Sequence, residues 1–321
     1  MDTRKELPTK PSDEYPFESR FVNIDGFRIH YGEHGHGDPV LFVHGNPTSS
    51  YVWRNILPKV AQESGKRGIA IDLLGFGESD KPENVDYTLQ RHAEILEGFI
   101  EKLGLRNIIL VLHDWGGPIG ASYAVEHPRN VRGMALMETF LWDISWEDFG
   151  KYKAVFKLFR SSLGYPMIQV MNFFVNRVLP GSVLNKENLT AEAMQRYREP
   201  FPTISSRRAV REFPRMLPIE GKPKESWLFI KKMEEKLPLL KFPVMWIKAT
   251  PGVIISKETE YHLIELSARL PQLTVTDFGP GLHYLQEDNP EKIAELILSW
   301  MRQYKMIDNA KASGRTYRQV A

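Results

Sequence analysis

The chain has 321 residues, with 42 lysines and arginines against 40 aspartates and glutamates, a formal net charge of +2. The basic residues are spread along the sequence, which argues against a nucleic-acid surface, and the absence of cysteine excludes disulfides and thiol catalysis. Hydrophobic residues make up 42% and charged residues 26%, ordinary values for a globular protein, and no apolar run approaches the roughly 18–20 residues of a membrane span.

Residues 1–17 are polar and proline-bearing and read as a flexible arm. The first residues lack the apolar centre of a signal peptide, so a cytoplasmic protein is expected. Strands are predicted at Arg20–Ile24 and Phe27–Tyr31, joined by Asp25-Gly26, a strong hairpin signal. Val40–Val43 reads as a short buried strand ending in His44-Gly45-Asn46-Pro47, and Gly68–Leu73 as another, ending in Leu74-Gly75. A helical pattern covers Leu89–Leu103. The apolar run Leu110–His113 then ends in Asp114-Trp115-Gly116-Gly117, followed by a helix over Pro118–Glu126, and Val131–Met137 is the next strand, closed by Glu138. Short apolar strands alternating with helices predict an α/β fold with a mostly parallel sheet covered on both faces. From Thr139 to Leu240 the sequence is helical and aromatic, without a convincing strand. The alternation resumes with Pro243–Ala249, a helix at Lys257–Leu270, a strand at Thr274–Phe278 and a helix at Pro290–Tyr304. The expected organisation is an α/β core of 18–138 and 241–306, a helical cap of 139–240 and a flexible tail of 307–321.

The strand–acid–glycine stretch at Asp114 has the pattern of a nucleophile elbow, in which a strained turn holds one side chain above the sheet. An aspartate there differs from the commoner serine, because it is already anionic at neutral pH and needs no base before it attacks. Displacement at a saturated carbon suits it. His283, in Gly279-Pro280-Gly281-Leu282-His283-Tyr284 after the last strand, has the chain position of the general base. A base needs a carboxylate partner, yet the loop Thr250–Ser256 after the Pro243 strand contains none. Glu138, at the tip of the preceding strand, is the remaining acid at that edge. Backbone N–H groups of Asn46 and Trp115 are expected on either side of the Asp114 carboxyl as an oxyanion hole. Their side chains add an amide and an indole N–H, uncharged donors that suit a departing chloride or bromide. His113 should point away from Asp114, since strand neighbours alternate, and His44 should brace its loop. His30, His34, His36, His92, His127 and His262 lie on surface-like segments, and no cluster has the spacing of metal ligands.

His44-Gly-Asn-Pro-Thr-Ser-Ser50, His113-Asp-Trp-Gly116, Tyr197-Arg-Glu-Pro-Phe201, Thr250-Pro-Gly-Val253 and the run from Gly279 to Asp288 together resemble the haloalkane dehalogenases of the α/β-hydrolase superfamily. The similarity runs from about Pro16 to Met306, and it is closest to the branch whose triad acid follows the sixth strand. The resemblance implies an α/β-hydrolase fold with an inserted helical cap. It assigns Asp114 as nucleophile, His283 as base, Glu138 as its partner, and Asn46 and Trp115 as halide donors. It also implies an apolar pocket lined by Phe156, Phe159, Phe173, Pro214, Val253, Ile254 and Leu282, with no cofactor. The expected partners are a halogenated alkane and water, with halide as product; neither nucleic acid nor membrane is expected, and the assembly is a monomer or weak homo-oligomer. Leu163-Gly-Tyr-Pro and Arg207-Arg-Ala-Val, both in the cap, depart from the family's pattern. An epoxide hydrolase is the alternative, because His-Asp-Trp-Gly is shared and Tyr152, Tyr165 and Tyr197 lie in the cap. A luciferase-like oxygenase of the coelenterazine type ranks third, since its loop after the Pro243 strand differs from Thr250-Pro-Gly-Val253.

Overall fold

The structure, a computed structural model, describes residues 15–307. Most of the expected arm and all but the first residue of the expected tail lie outside the described residues. The chain begins with a hairpin of β1 (Glu18–Ile24) and β2 (Phe27–His34). Its turn residues Asp25 and Gly26 have φ of 50° and 85°, the left-handed pair that a two-residue hairpin requires. Next come β3 (Pro39–Val43), α1 (Leu57–Ser64), β4 (Arg67–Ile71), α2 (Leu89–Lys102), β5 (Ile108–His113), α3 (Gly116–Glu126) and β6 (Val131–Met137). Residues 139–243 contribute no strand to the sheet. They hold α4 (Lys153–Arg160), α5 (Leu179–Gly181), α6 (Ala191–Arg198), α7 (Arg208–Met216) and α8 (Lys224–Lys236), with π-helical turns at Tyr165–Val170 and Phe174–Val178. Finally β7 (Val244–Pro251), α9 (Glu260–Arg269), β8 (Leu273–Gly281), α10 (Leu285–Asp288) and α11 (Pro290–Gln303) close the fold.

The eight strands form one sheet in the order β1-β2-β4-β3-β5-β6-β7-β8. β2 pairs antiparallel with β1 and β4, and all other neighbours are parallel. Alternate residues of the inner strands feed opposite faces. Leu41, Val43, Leu110 and Leu112 join one buried apolar cluster, whereas Val40, Phe42, Ile109 and Val111 join the other. Burying side chains of this size stabilises by about 1.5–3 kcal/mol each, which is why the parallel strands read as unbroken apolar runs. Their carboxyl ends carry Asp114, Glu138 and the β8 loop to one edge, where open α/β sheets hold ligands. No helix among the described residues is long and apolar enough to cross a membrane.

Three expectations are corrected. Residues 15–17 do not belong to an arm: Phe17 is fully buried, and the Tyr15 hydroxyl lies 2.8 Å from Ser50 Oγ. This segment covers β2, where a Cβ on Gly32 would meet Tyr15 and Phe17. His30 is therefore buried, with Nδ1 2.7 Å from Asp72 and Nε2 2.6 Å from Ser19. His92 is also buried rather than surface-like, because it shares the inward stripe of α2 with Leu89, Leu96 and Phe99. Burial lowers its imidazole to about 3. Beyond these, Leu57, Val60 and Ala61 face inward from α1, a helix not expected from the sequence.

Candidate active site

The elbow is built by close backbone approach. Asp114 has φ of 51°, a left-handed conformation that a short polar side chain tolerates better than most. A Cβ on Gly45 would fall 2.3 Å from Asp114 Oδ2, and one on Gly117 only 1.7 Å from Thr139 Oγ1. Any larger residue at either place would force the strand tips apart. Thr139 Oγ1 donates to the Asp114 carbonyl at 2.5 Å, and Gly117 N–H donates to the same oxygen at 2.9 Å. These bonds fix the turn from below.

Above the turn, Asp114 Oδ2 accepts the Asn46 N–H at 2.8 Å. The Trp115 backbone N–H also favours the charged form of the Asp114 carboxyl. His283 Nε2 stands 3.8 Å from Asp114 Oδ1, and its Nδ1 stands 3.4 Å from Glu138 Oε2. The same Glu138 oxygen accepts the N–H groups of Val253 and Ile254, each at 2.9 Å. The Thr250–Ser256 loop, which supplies no acid, thus orients the acid supplied by β6. All three titratable groups are buried. Burial raises the Asp114 carboxyl above the ordinary aspartate value, although His283 and the two backbone N–H groups pull the other way. For His283 burial alone would depress the imidazole, but the Glu138 hydrogen bond and the charges of Asp114 and Glu138 outweigh it, and its pKa is raised.

The flanking groups are held from several elements. His283 N–H and Tyr284 N–H both donate to the carbonyl of Ser182, at 3.1 Å each. His113, pointing away from Asp114 as alternation predicts, donates from Nε2 to the His283 carbonyl at 2.9 Å. His44 braces its loop, donating from Nδ1 to Gly45 O at 2.7 Å and accepting Leu73 N–H at Nε2. Asn46 accepts the Tyr284 hydroxyl on its carbonyl at 3.0 Å, and its Nδ2 donates to Val210 O at 3.3 Å. That bond is long, and an amide carries two hydrogens, so one N–H of Asn46 remains uncommitted.

Trp115 is buried with Phe140 and Phe213 edge-on to its indole, at ring-centroid distances of 5.3 and 5.1 Å. Neither phenylalanine stood out in the sequence, although Val210, Phe213 and Pro214 share one face of α7 at helical spacing. Of the expected pocket residues, Val253 and Ile254 lie in the loop that hydrogen-bonds Glu138, and Leu282 in the loop that carries His283. Pro214 is buried in α7 beside Phe213. Phe156, Phe159 and Phe173 form a separate aromatic chain in the insert, with successive centroids 5.8 Å apart. Among the described residues no group of three or more His, Asp and Glu side chains is placed to hold a metal ion.

Comparison with known proteins agrees with this geometry. A family model described as the alpha/beta hydrolase fold matches residues 38–290. A haloalkane dehalogenase of Mesorhizobium japonicum is 36% identical over 301 residues, covering 92% of this chain and 95% of that one. One from Bradyrhizobium diazoefficiens is 38% identical over 299 residues, covering 88% and 94%. Among solved structures, the haloalkane dehalogenase DbeA from Bradyrhizobium elkani aligns with a TM-score of 0.84 at 36% identity, over 90% of this chain and 98% of that one. DatA from Agrobacterium tumefaciens aligns with a TM-score of 0.83 at 32% identity, over 89% and 96%. With this coverage and identity, the chain belongs to the haloalkane dehalogenase family of α/β hydrolases.

Proposed function

We propose that the chain hydrolyses carbon–halogen bonds of haloalkanes through an alkyl ester on Asp114, releasing a primary or secondary alcohol, halide and a proton. The observation that carries this reading is a carboxylate at the elbow with its two oxygens differently placed. Oδ2 is held by the Asn46 N–H, while Oδ1 faces His283 across 3.8 Å. Oδ1 is the attacking atom. It forms the C–O bond as the C–X bond breaks, and the electron pair leaves with the halide. Asn46 and Trp115 stabilise that charge with the amide and indole N–H. Residues 139–240 act as a cap whose aromatic side chains keep water from the first step, and a desolvated carboxylate is the better nucleophile.

In the second step His283 takes a proton from water, whose oxygen attacks the ester carbonyl. The oxyanion forms on Oδ2, beside the N–H groups of Asn46 and Trp115. On its collapse the Cγ–Oδ1 bond breaks, and Oδ1 leaves with the alkyl group as the alcohol and takes up a proton. The water oxygen remains in the carboxylate, and the second proton of the water is released to solvent. Glu138 stabilises the imidazolium. Esterification also retunes the base. The Asp114 charge is one of the influences that raise His283, so its loss in the ester lowers the imidazole pKa and frees the base for the step that needs it. Among the tyrosines an epoxide hydrolase would need, Tyr197 donates to Glu287 at 2.5 Å, and Tyr152 and Tyr165 are exposed. None is positioned as an acid over Asp114.

The reading is tested by halide release from 1-bromobutane or 1,2-dibromoethane, followed with a pH indicator. Trp115→Phe deletes the indole N–H and keeps most of the ring volume, and Asn46→Leu removes the amide with the same number of side-chain heavy atoms. Each should slow turnover by about 10²-fold or more, the scale for losing one donor aimed at developing charge. Both should also weaken quenching of tryptophan fluorescence by added bromide or iodide. Wild-type rates in both variants, with turnover of styrene oxide, would assign the site to epoxide opening instead.

Glu138→Gln keeps the acceptor for Val253 and Ile254 but removes the charge beside His283. Hydrolysis of the ester should slow by about 10²-fold or more, against the roughly 10⁴ that loss of a triad acid can cost. Alkylation, which needs no base, should change little. Rapid-quench measurement of the two steps separates them, and equal slowing of both would remove Glu138 from the proposed role.

A further inference from the structure

Two stretches of the cap, of which Tyr165 falls in a segment that departs from the family's pattern, meet at a surface cleft lined by none of Asp114, Glu138 and His283. Arg160, Ser161, Ser162 and Tyr165, from the end of α4 and the turn after it, face Arg211 and Arg215 of α7 across a cleft of about 510 Å³. Three guanidinium groups line this cleft and no carboxylate does. Glu212, beside it, is shared by Arg211 and by Arg215 Nε at 3.2 Å. One negative charge therefore answers three positive ones. The imbalance extends to the whole insert: residues 139–240 hold 17 lysines and arginines against 11 aspartates and glutamates, in a chain that is nearly neutral.

The arginines are also pre-oriented. Arg160 Nη1 donates to the carbonyls of Pro214 and Leu217 at 2.8 Å each, and its Nη2 to Lys222 O at 3.2 Å. Arg215 Nη1 donates to Arg160 O at 3.2 Å, and the Arg211 guanidinium lies 5.5 Å from the Tyr165 ring centroid. Arg211 Nη1, Arg215 Nη2, Ser162 Oγ and Tyr165 Oη have no hydrogen-bond partner among the described residues. Fixed guanidinium edges with spare donors match the paired oxygens of a phosphate better than the sphere of a halide. Burial together with the charge of Arg215 lowers the Arg160 pKa, a repulsion that a bound anion would relieve.

We propose that this cleft is a binding site for a phosphate group, free or as a small phosphate monoester, held by Arg211, Arg215, Ser162 and Tyr165 over the arginine cluster. The site lies outside the proposed chemistry and its test does not depend on turnover. Isothermal titration with inorganic phosphate and with phenyl phosphate, at ionic strength held constant with potassium chloride, should give saturable one-to-one binding. Arg211→Gln/Arg215→Gln should weaken it by about tenfold or more, as expected for two charge-assisted donors. Ser162→Ala/Tyr165→Phe keeps every charge, guards against misfolding of the arginine variant, and should weaken binding by a few-fold. Phosphate also stabilises proteins non-specifically by exclusion from their surface, which is why heat of binding rather than melting temperature is read. No saturable heat, equal affinity in the arginine variant, or binding of anionic vesicles without binding of soluble phosphate would overturn the proposal.

Discussion

Asp114→Ala should abolish multiple-turnover halide release while leaving the fold in place. The stability terms nearly offset one another. Alanine at φ of 51° is strained by about 1–2 kcal/mol, and the Asn46 N–H loses an acceptor, at about 1–3 kcal/mol when no water replaces it. Against these, a carboxyl whose burial raises its pKa no longer has to be kept out of water. The chemical loss has no such offset. Glu138 is the other carboxylate facing His283, but Val253, Ile254 and His283 all engage its Oε2. It cannot take over as nucleophile without abandoning those bonds. Halide release by the folded variant at more than a small fraction of the wild-type rate, with circular dichroism unchanged, would rule out the covalent route.

Much of this arrangement was legible in the sequence because parallel sheets leave a plain trace. Ile108–His113 is apolar throughout since both its faces are covered, and the glycines after Asp114 mark the place where two backbones must nearly touch. The place of Glu138 beside His283 was legible from a missing residue: the loop Thr250–Ser256 has no carboxylate, and the preceding strand tip has one. In the structure that loop supplies two N–H groups to the displaced acid. This compensation could not be foreseen, because backbone donors have no signature in residue type.

The rest was hidden for physical reasons. His30 and His92 lie on segments that look like surface in the sequence, whereas a covering segment and a helical stripe bury them. Phe140 and Phe213 flank Trp115 only because the insert folds back over the sheet edge. Trp115 and Phe213, separated by about a hundred positions of chain, share no local pattern. The Ser182 carbonyl, which receives the N–H groups of both His283 and Tyr284, is of the same kind. It ties residues 139–240 to the His283 loop through the Ser182 carbonyl and two backbone N–H groups, so no motif could announce it.

The proposed two-step cycle is tested most directly by His283→Phe incubated with 1-bromobutane and read by intact mass. The imidazole packs 4.7 Å from the rings of both His113 and Tyr284, and a phenyl ring fits between the same neighbours. Its removal deletes an influence that lowers the Asp114 pKa, so the carboxyl titrates higher and the incubation belongs on the alkaline side of neutrality, where Asp114 remains charged. Alkylation needs no base and should proceed; ester hydrolysis needs one and should stop. The account predicts one butyl group per chain, located on Asp114 by peptide mapping and absent when Asp114→Ala is added. An unmodified chain that continues to release bromide over many turnovers would contradict it.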